Sequence, residues 1–435
     1  MWSVSLETRC AESYSNAMQL GAVLVFDAGP LQLRHGGVDV ERLRAYTAKR
    51  LPELPRARER RVRLALGALE VFAEDSSFQL DYHVRHVSLP RPGDERALKR
   101  LAARVFSQEL DPEKPLWELW IVEGLEAARF ALLAKCDAAL LEPSARTSGT
   151  LARAGEEVVR RVASLARPSG FLAGAGSAVR FVLDFAEGAL AGAHAPLGDA
   201  SEGAHRRIDW LALAAPDVAA ICARLGGTER DVVLAAVAGG LRRVVERRVA
   251  RADLGALRIV TPICVGEQAS APRFRLPIEI VDPRTRFVAV RAASERHARS
   301  AAGEGASPLH ELAALAAAAL AGRRADLAAF ELATPPAPEQ LLGARLQAFI
   351  PVAPRLPGHA LGVTMTRLPE RVFVGLSADA ARLPDLPALA DAVAASFDEL
   401  RRLAATAPAP HVNAPPAKRP RRRRSPEKRP ELETR

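Results

Sequence analysis

The sequence predicts a two-lobed mixed α/β protein in which each lobe is a sheet backed by helices. Its 435 residues exceed one ordinary core and suit two lobes of roughly 150–200 residues each. Apolar residues make up 49%, enough to fill both. Strand-like and helix-like stretches alternate in each half, on either side of a long Ala/Arg/Gly-rich region.

The first lobe is expected over residues 1–143. Gly21–Phe26 is a continuous apolar run and predicts a buried strand. Val40, Leu43, Tyr46, Ala48 and Leu51 recur at helical spacing, so 38–51 is a helix, stopped by Pro52. Residues 81–87 predict a strand. Residues 95–106 predict an amphipathic helix with Leu98, Leu101, Ala102 and Val105 on one face. Residues 116–122 and 130–135 are two strands, close enough for a hairpin. Trp117 and Trp120 fall on opposite faces of the first of these, Trp117 toward the core or a channel.

Residues 144–207 are helix-prone and are expected to form a crossover between lobes. Gly170, Gly174 and Gly176 within it match neither a dinucleotide fingerprint nor a phosphate loop. The second lobe is expected over 208–406. Helices are predicted at 215–225 and 228–249, the second opened by Thr228 with Asp231 three residues on, a capping-box pair. A strand follows at 259–263, helices at 289–302 and 309–322, strands at 349–352, 360–368 and 371–376, and a closing helix at 387–404.

Residues 407–435 are rich in Pro, Arg and Lys and are expected to be a disordered basic tail. Nine Lys+Arg against three Glu there carry +6 of the chain's net +10, so the basic excess is not a face on a fold. No apolar run approaches the roughly 18 residues of a membrane span. Residues 1–7 lack the basic flank and apolar stretch of a signal peptide. Cys10, Cys136, Cys222 and Cys264 are scattered and form no C-x-x-C, so they do not indicate a disulfide framework or zinc knuckle and suit a reducing cytoplasm.

Several phrases occur in the order seen in the bacterial wax ester synthase/diacylglycerol acyltransferase family. They include Asn16 to Ala22, Asp81-Tyr82-His83-Val84-Arg85, Pro115-Leu116-Trp117-Glu118-Leu119-Trp120, and Arg129-Phe130-Ala131-Leu132. Gly226-Gly227-Thr228, Asp231 to Gly239 and Val374 to Asp379 follow. The chain resembles that family from about residue 11 to 404. The resemblance implies two chloramphenicol-acetyltransferase-like lobes with a substrate tunnel between them. It also implies acyl transfer from acyl-CoA to a fatty alcohol or diacylglycerol, with acyl-CoA as substrate and no cofactor. Pro115, Leu116, Trp117, Arg230 and Asp231 then become tunnel candidates.

An alcohol attacking a thioester needs a base to take its proton as the C–O bond forms, and histidine suits this near neutral pH. The family's H-H-x-x-x-D-G motif supplies it. Aligned here, the first histidine falls on Asp137, the base histidine on Ala138, the aspartate on Glu142 and the glycine on Pro143. No histidine lies between His86 and His194. Two further signatures are eroded: an Asn-Asp pair reads Arg230-Asp231, and a Ser-Asn-x-Pro-Gly-Pro stretch reads as residues 333–338, which keep only prolines.

Asp137 is either a loop acid or, if burial raised it by about three pKa units, a substitute base. Glu142 is a loop residue or an arginine partner, Asp231 a helix-end acid or a tunnel residue, and Cys136 a buried thiol. The expectation is therefore a non-catalytic relative that binds acyl-CoA or another lipid, or partners with an active paralogue. A divergent active acyltransferase is the alternative, and a tail-led nucleic-acid binder the third. The basic residues Lys418, Arg419, Arg421, Arg422, Arg423 and Arg424 are expected to touch an anionic membrane or lipid-droplet surface rather than nucleic acid.

Overall fold

The computed structural model describes residues 19–34, 36–54, 56–63, 70–137, 205–247, 258–260, 263–265, 268–270, 273–302, 327–331, 340–354 and 360–407. The mixed α/β expectation holds. The first lobe is built from β1 (Gln19–Asp27), α1 (Val40–Arg50), β2 (Glu59–Arg63), β3 (Glu70–Glu74), β4 (Val84–Ser88), α2 (Glu95–Ser107), β5 (Trp117–Leu125) and β6 (Arg129–Asp137). The second comprises β7 (Arg206–Ala214), α3 (Ala215–Leu225), α4 (Glu229–Val245), β8 (Arg258–Val260), β9 (Ile263–Val265), β10 (Gln268–Ser270), β11 (Arg273–Arg275), α5 (Pro283–Ala302) and β12 (Leu327–Glu331). Then come β13 (Gln340–Leu341), β14 (Ala344–Val352), β15 (Leu361–Arg367), β16 (Arg371–Asp379) and α6 (Leu386–Thr406).

Two six-stranded sheets result, ordered β13-β14-β1-β6-β5-β4 and β11-β8-β12-β15-β16-β7. Strand β14, late in the chain, crosses into the first lobe and pairs antiparallel with β1, so the two halves share a sheet. Strand β1 is apolar on both faces because both are covered. Val23 and Val25 pack with α2, whereas Leu24 and Phe26 pack on the side of α1.

The helix ends follow their sequence signals. Asp39 and Asp94 accept backbone N–H bonds from Arg42 and Ala97, opening α1 and α2. Thr228 and Asp231 form a capping box on α4, a device worth about 1 kcal/mol. Helix α4 is buried almost throughout, and packs with α3, α5 and α6 behind the second sheet.

Several readings change, among them the strand predicted at 349–352, which begins at Ala344. Residues 80–83 form one helical turn before β4, so the predicted 81–87 strand starts at Val84. The 259–263 strand is two short strands. Helix α5 begins at Pro283 rather than 289, because Asp282 accepts from the Thr285 N–H at 2.8 Å. Helix α4 ends at Val245, short of 249. The β2–β3 hairpin was not foreseen. The 309–322 helix, most of the 144–207 crossover and the tail beyond Ala407 lie outside the described residues. Among the described residues no helix is long and apolar enough to cross a membrane.

Candidate active site

One end of the first sheet collects four of the six predicted site residues that the structure describes. Trp117 of β5 sits opposite Cys136 of β6, and the Asp137 N–H donates to Leu116 O at 2.9 Å. Asp137 sits opposite Gln19 of β1, and Gly21, two residues along, faces Val352 of β14. Pro115, Leu116, Trp117 and Asp137 therefore share one end, and Pro115, Leu116 and Asp137 are buried.

That is also the end on which the second lobe docks. The Thr364 hydroxyl of β15 donates to Pro351 O at 2.7 Å. The Arg206 guanidinium donates to both Ala353 O and the Ser377 hydroxyl. About two turns back along α2 from that end, Lys99 reaches Asp209 of β7 at 2.6 Å, donates to Trp210 O at 3.1 Å and lies over the Trp210 ring. Gln19, opposite Asp137, is two residues from the β14-paired Gly21, or about 7 Å at ordinary strand rise. Strand alternation puts Asp137 on the same face as Leu133 and Lys135, the face covered by α2 and the second lobe. Asp137 thus lies near the crossed-over β14, and a partner it meets is Arg61 of the first lobe.

Asp137 does not stand there as a solvated loop acid. It is 5% exposed, and its Oδ1 lies 3.2 Å from Arg61 Nη2 of β2. Cys136 points to the opposite, apolar face, and burial, with the Asp137 charge adding, pushes its thiol up to about 12. A thiol held so far above neutral pH carries no useful thiolate.

A buried charge group lies next to it that the sequence reading passed over. Lys135 donates from Nζ to Val105 O at 3.2 Å and Gln108 O at 2.7 Å, at the C-terminal end of α2, and faces Glu118 at 3.7 Å. Glu118 also pairs with Arg85 at 3.2 Å and accepts from Trp120 Nε1 at 3.0 Å. Burial lowers the Lys135 pKa, with Glu118 acting against it. A lysine inside an otherwise apolar strand was the available signal.

Trp117 is a core residue. Its Nε1 donates to Ala57 O at 2.7 Å, and its ring stacks on His83 with centroids 4.6 Å apart. His83 is the buried imidazole near this strand end. A carbonyl only accepts, so His83 Nδ1 donates to Trp117 O at 2.8 Å, which leaves the lone pair on Nε2. Burial lowers its pKa below the ordinary 6.5. Phe78 also stacks on His83 with centroids 5.0 Å apart, and Trp117 belongs to the face opposite Asp137. His83 therefore packs behind the sheet and does not enter the junction.

Arg230 and Asp231 open α4, an element separate from that strand end. Arg230 is half-buried. Asp231 is buried; its Oδ2 accepts from the Thr228 N–H at 2.9 Å and the Thr228 hydroxyl at 3.0 Å, while Oδ1 has no hydrogen-bond partner among the described residues. Ala138, Glu142, Pro143, residues 333–338 and His194 lie outside the described residues. Among the described residues no group of three or more His, Cys, Asp or Glu could hold a metal ion.

Comparison with known proteins gives a consistent result. Residues 8–145 match the family model of the wax ester synthase/diacylglycerol acyltransferase catalytic domain, and residues 265–401 match the WS/DGAT C-terminal domain. A probable diacylglycerol O-acyltransferase of Mycobacterium tuberculosis, tgs3, is 37% identical over 131 residues, which is 30% of this chain and 46% of that relative. The match thus spans under half the length of that relative. A second probable diacylglycerol O-acyltransferase of the same organism, tgs1, is 26% identical over 409 residues, covering 83% of this chain and 87% of the relative. The solved wax ester synthase/diacylglycerol acyltransferase of Marinobacter aquaeolei superposes with a TM-score of 0.68 at 19% identity, over 93% of this chain and 100% of that one. The first condensation domain of the CDA synthetase reaches 0.53 at 15% identity, over 92% of this chain and 94% of that one. At these identities the two structures speak to the fold alone.

Proposed function

The chain belongs to the wax ester synthase/diacylglycerol acyltransferase family, and from that premise we propose that it binds acyl-CoA or another acyl lipid without completing acyl transfer. The family's reaction moves an acyl group from acyl-CoA to a fatty alcohol or diacylglycerol. It needs a base for the hydroxyl proton, a contribution of about 10²–10⁴ in rate. In this chain alanine occupies the position aligned with the base histidine.

One observation carries the reading. Asp137, the motif position nearest to Ala138, is engaged by Arg61 in a buried ion pair. A carboxylate spent on a guanidinium is poorly placed to collect a proton from an alcohol. Cys136 and His83 fail as substitutes, the first for lack of thiolate and the second because it packs behind the sheet. Asp231 fits a binding role better. Its buried Oδ1 has no hydrogen-bond partner among the described residues and suits the hydroxyl or amide of a bound lipid or acyl-CoA. Pro115, Leu116 and Trp117 would shape the channel indirectly, by fixing the strand end. Lys418, Arg419 and Arg421–Arg424 supply charge toward an anionic lipid surface, at about 1 kcal/mol per residue near it.

The test is an acyltransferase assay of purified protein with palmitoyl-CoA and either hexadecanol or diacylglycerol, run beside calorimetric titration of palmitoyl-CoA. Saturable binding without ester product is expected. Ester formation that disappears in Asp137→Asn would overturn the proposal in favour of an active enzyme using that carboxylate.

A further inference from the structure

We infer that the outward flank of α2, carrying Arg96, Arg100 and Arg104, is a contact surface for an anionic lipid bilayer. The choice of partner rests on the proposed function, because a water-insoluble acyl lipid is drawn from such a phase.

Three ridges run along α2, each made of residues four apart in sequence. Leu98, Ala102 and Phe106 pack on the first sheet, with Leu101 and Val105 beside them. Lys99, Ala103 and Ser107 meet β7 of the second lobe. Lys99 reaches Asp209 at 2.6 Å and donates to Trp210 O at 3.1 Å. Ala103 packs against the cluster that holds Ile208 and Trp210, and the Ser107 hydroxyl accepts from the Arg206 N–H at 2.8 Å. Strand β7 is the edge of its sheet, so α2 supplies partners to its open side. Held by both lobes, the helix has a fixed rotation about its axis.

The third ridge, Arg96, Arg100 and Arg104, therefore points outward, and all three are exposed. They span about 12 Å of helix. None makes an ion pair or hydrogen bond among the described residues. The acids at the start of the helix are engaged elsewhere: Asp94 caps it through the Ala97 N–H, and Glu95 faces Lys99 at 3.0 Å. The next acid, Glu109, lies past the helix end. Like charges four residues apart repel along a helix, and an anionic partner relieves that repulsion.

The shape of the row selects the partner. Its guanidiniums stand in line on a convex flank and do not converge, so they suit a plane of anionic headgroups better than a single phosphate. With the first sheet on one side and β7 on the other, too little of α2 protrudes to enter a DNA major groove about 12 Å wide. The exposed large hydrophobics among the described residues are Val281 and Val288, neither of them on α2, so the contact is electrostatic and weakens with salt. Each arginine at such a surface contributes about fivefold, and the row about a hundredfold.

The experiment is sedimentation of the full chain with vesicles of phosphatidylcholine and phosphatidylserine, beside vesicles of phosphatidylcholine alone. The unaltered chain should bind the first kind, less as salt rises, and not the second. Arg96→Gln/Arg100→Gln/Arg104→Gln keeps a good helix former at each position and should weaken binding about a hundredfold. Arg96→Lys/Arg100→Lys/Arg104→Lys should bind as the parent does. Arg34→Gln/Arg42→Gln/Lys49→Gln removes the same charge from exposed positions outside α2 and should weaken binding far less. Residues 407–435 are present in every variant, so the differences report the folded surface. Should the triple glutamine variant not fold, Arg100→Gln alone carries the test, with about a fivefold loss expected.

Equal losses in the two triple glutamine variants would overturn the inference, because net charge alone would explain them. Undiminished vesicle binding by the α2 variant would do the same, as would a preference of the unaltered chain for duplex DNA over vesicles. Calorimetric titration of palmitoyl-CoA should give the same affinity with and without the α2 arginines. Lost affinity there, with vesicle binding intact, would assign them to the CoA phosphates and refute the bilayer contact. The proposed function fails on a separate result, ester formation by the unaltered chain, which leaves the vesicle measurements as they are.

Discussion

Gly375 of β16 is where the second lobe meets the crossed-over strand, and Gly375→Ala tests that contact. A β-carbon there would lie 2.3 Å from the Thr364 hydroxyl, 2.6 Å from Pro351 O and 3.2 Å from Ile350 Cγ2. The hydroxyl can rotate away, but only by giving up its 2.7 Å bond to Pro351 O, a loss of about 1 kcal/mol. Pro351 O is main chain and lies opposite Ala22 in the first sheet, so it yields only if β14 moves. Overpacking of this kind costs about 1–3 kcal/mol. Against it stands the entropy gained when the unfolded chain loses a glycine, about 0.4–1 kcal/mol. The clash wins, for a net loss of about 1–3 kcal/mol. Urea denaturation followed by tryptophan fluorescence should show a lower midpoint at an unchanged slope. A variant as stable as the parent, or more so, would mean that β14 and β16 do not meet as described.

Lys99→Met should cost about 2–3 kcal/mol, because it leaves Asp209 buried without its nearest lysine. Burial lowers the Lys99 pKa, but the hydrogen bond and charge of Asp209 outweigh it and hold the group above 10.5. Its stabilisation is therefore complete below that value and lost as pH rises through the folded value, so the gap to Lys99→Met should persist at pH 8 and shrink above pH 10.5. Cys136, with its thiol near 12, should resist iodoacetamide at pH 8 in the native protein and react in denaturant, as read by mass spectrometry; native labelling would contradict its placement. His83 resists protonation when folded, so stability should fall as pH drops below 6.5, where only the unfolded chain takes the proton. Denaturation midpoints at pH 5 and pH 7 should differ less in His83→Asn than in the parent, and equal differences would rule the effect out.

Elements with a strong local pattern were legible in the sequence. The run Gly21–Phe26, the amphipathic face of α2 and the Thr228/Asp231 cap each carry their own signal and form as expected. The family was legible through ordered phrases, and the two chloramphenicol-acetyltransferase-like lobes followed from it. What stayed hidden depends on contacts between distant segments. Strand β2 of the β2–β3 hairpin, Glu59-Arg60-Arg61-Val62-Arg63, carries one apolar residue and so has no alternating pattern to mark it. Asp81–His83 carries strand-like residues but turns as a helix, placing His83 against Trp117. The passage of β14 into the first sheet has no local sequence mark. For the site, the loss of histidine at 138 is written in the sequence, whereas the Arg61 partner of Asp137 lies 76 positions earlier and emerges only when the hairpin is seen across the strand ends.

The most direct measurement is CoA release from palmitoyl-CoA with hexadecanol, compared between the unaltered chain and Ala138→His at equal saturation with thioester. If one missing imidazole is what silences this fold, the unaltered chain stays at the rate of buffer and the variant rises clearly above it. Should the unaltered chain already release CoA as fast as the variant, a proton acceptor is at work that the lobe junction does not reveal, and the account is wrong.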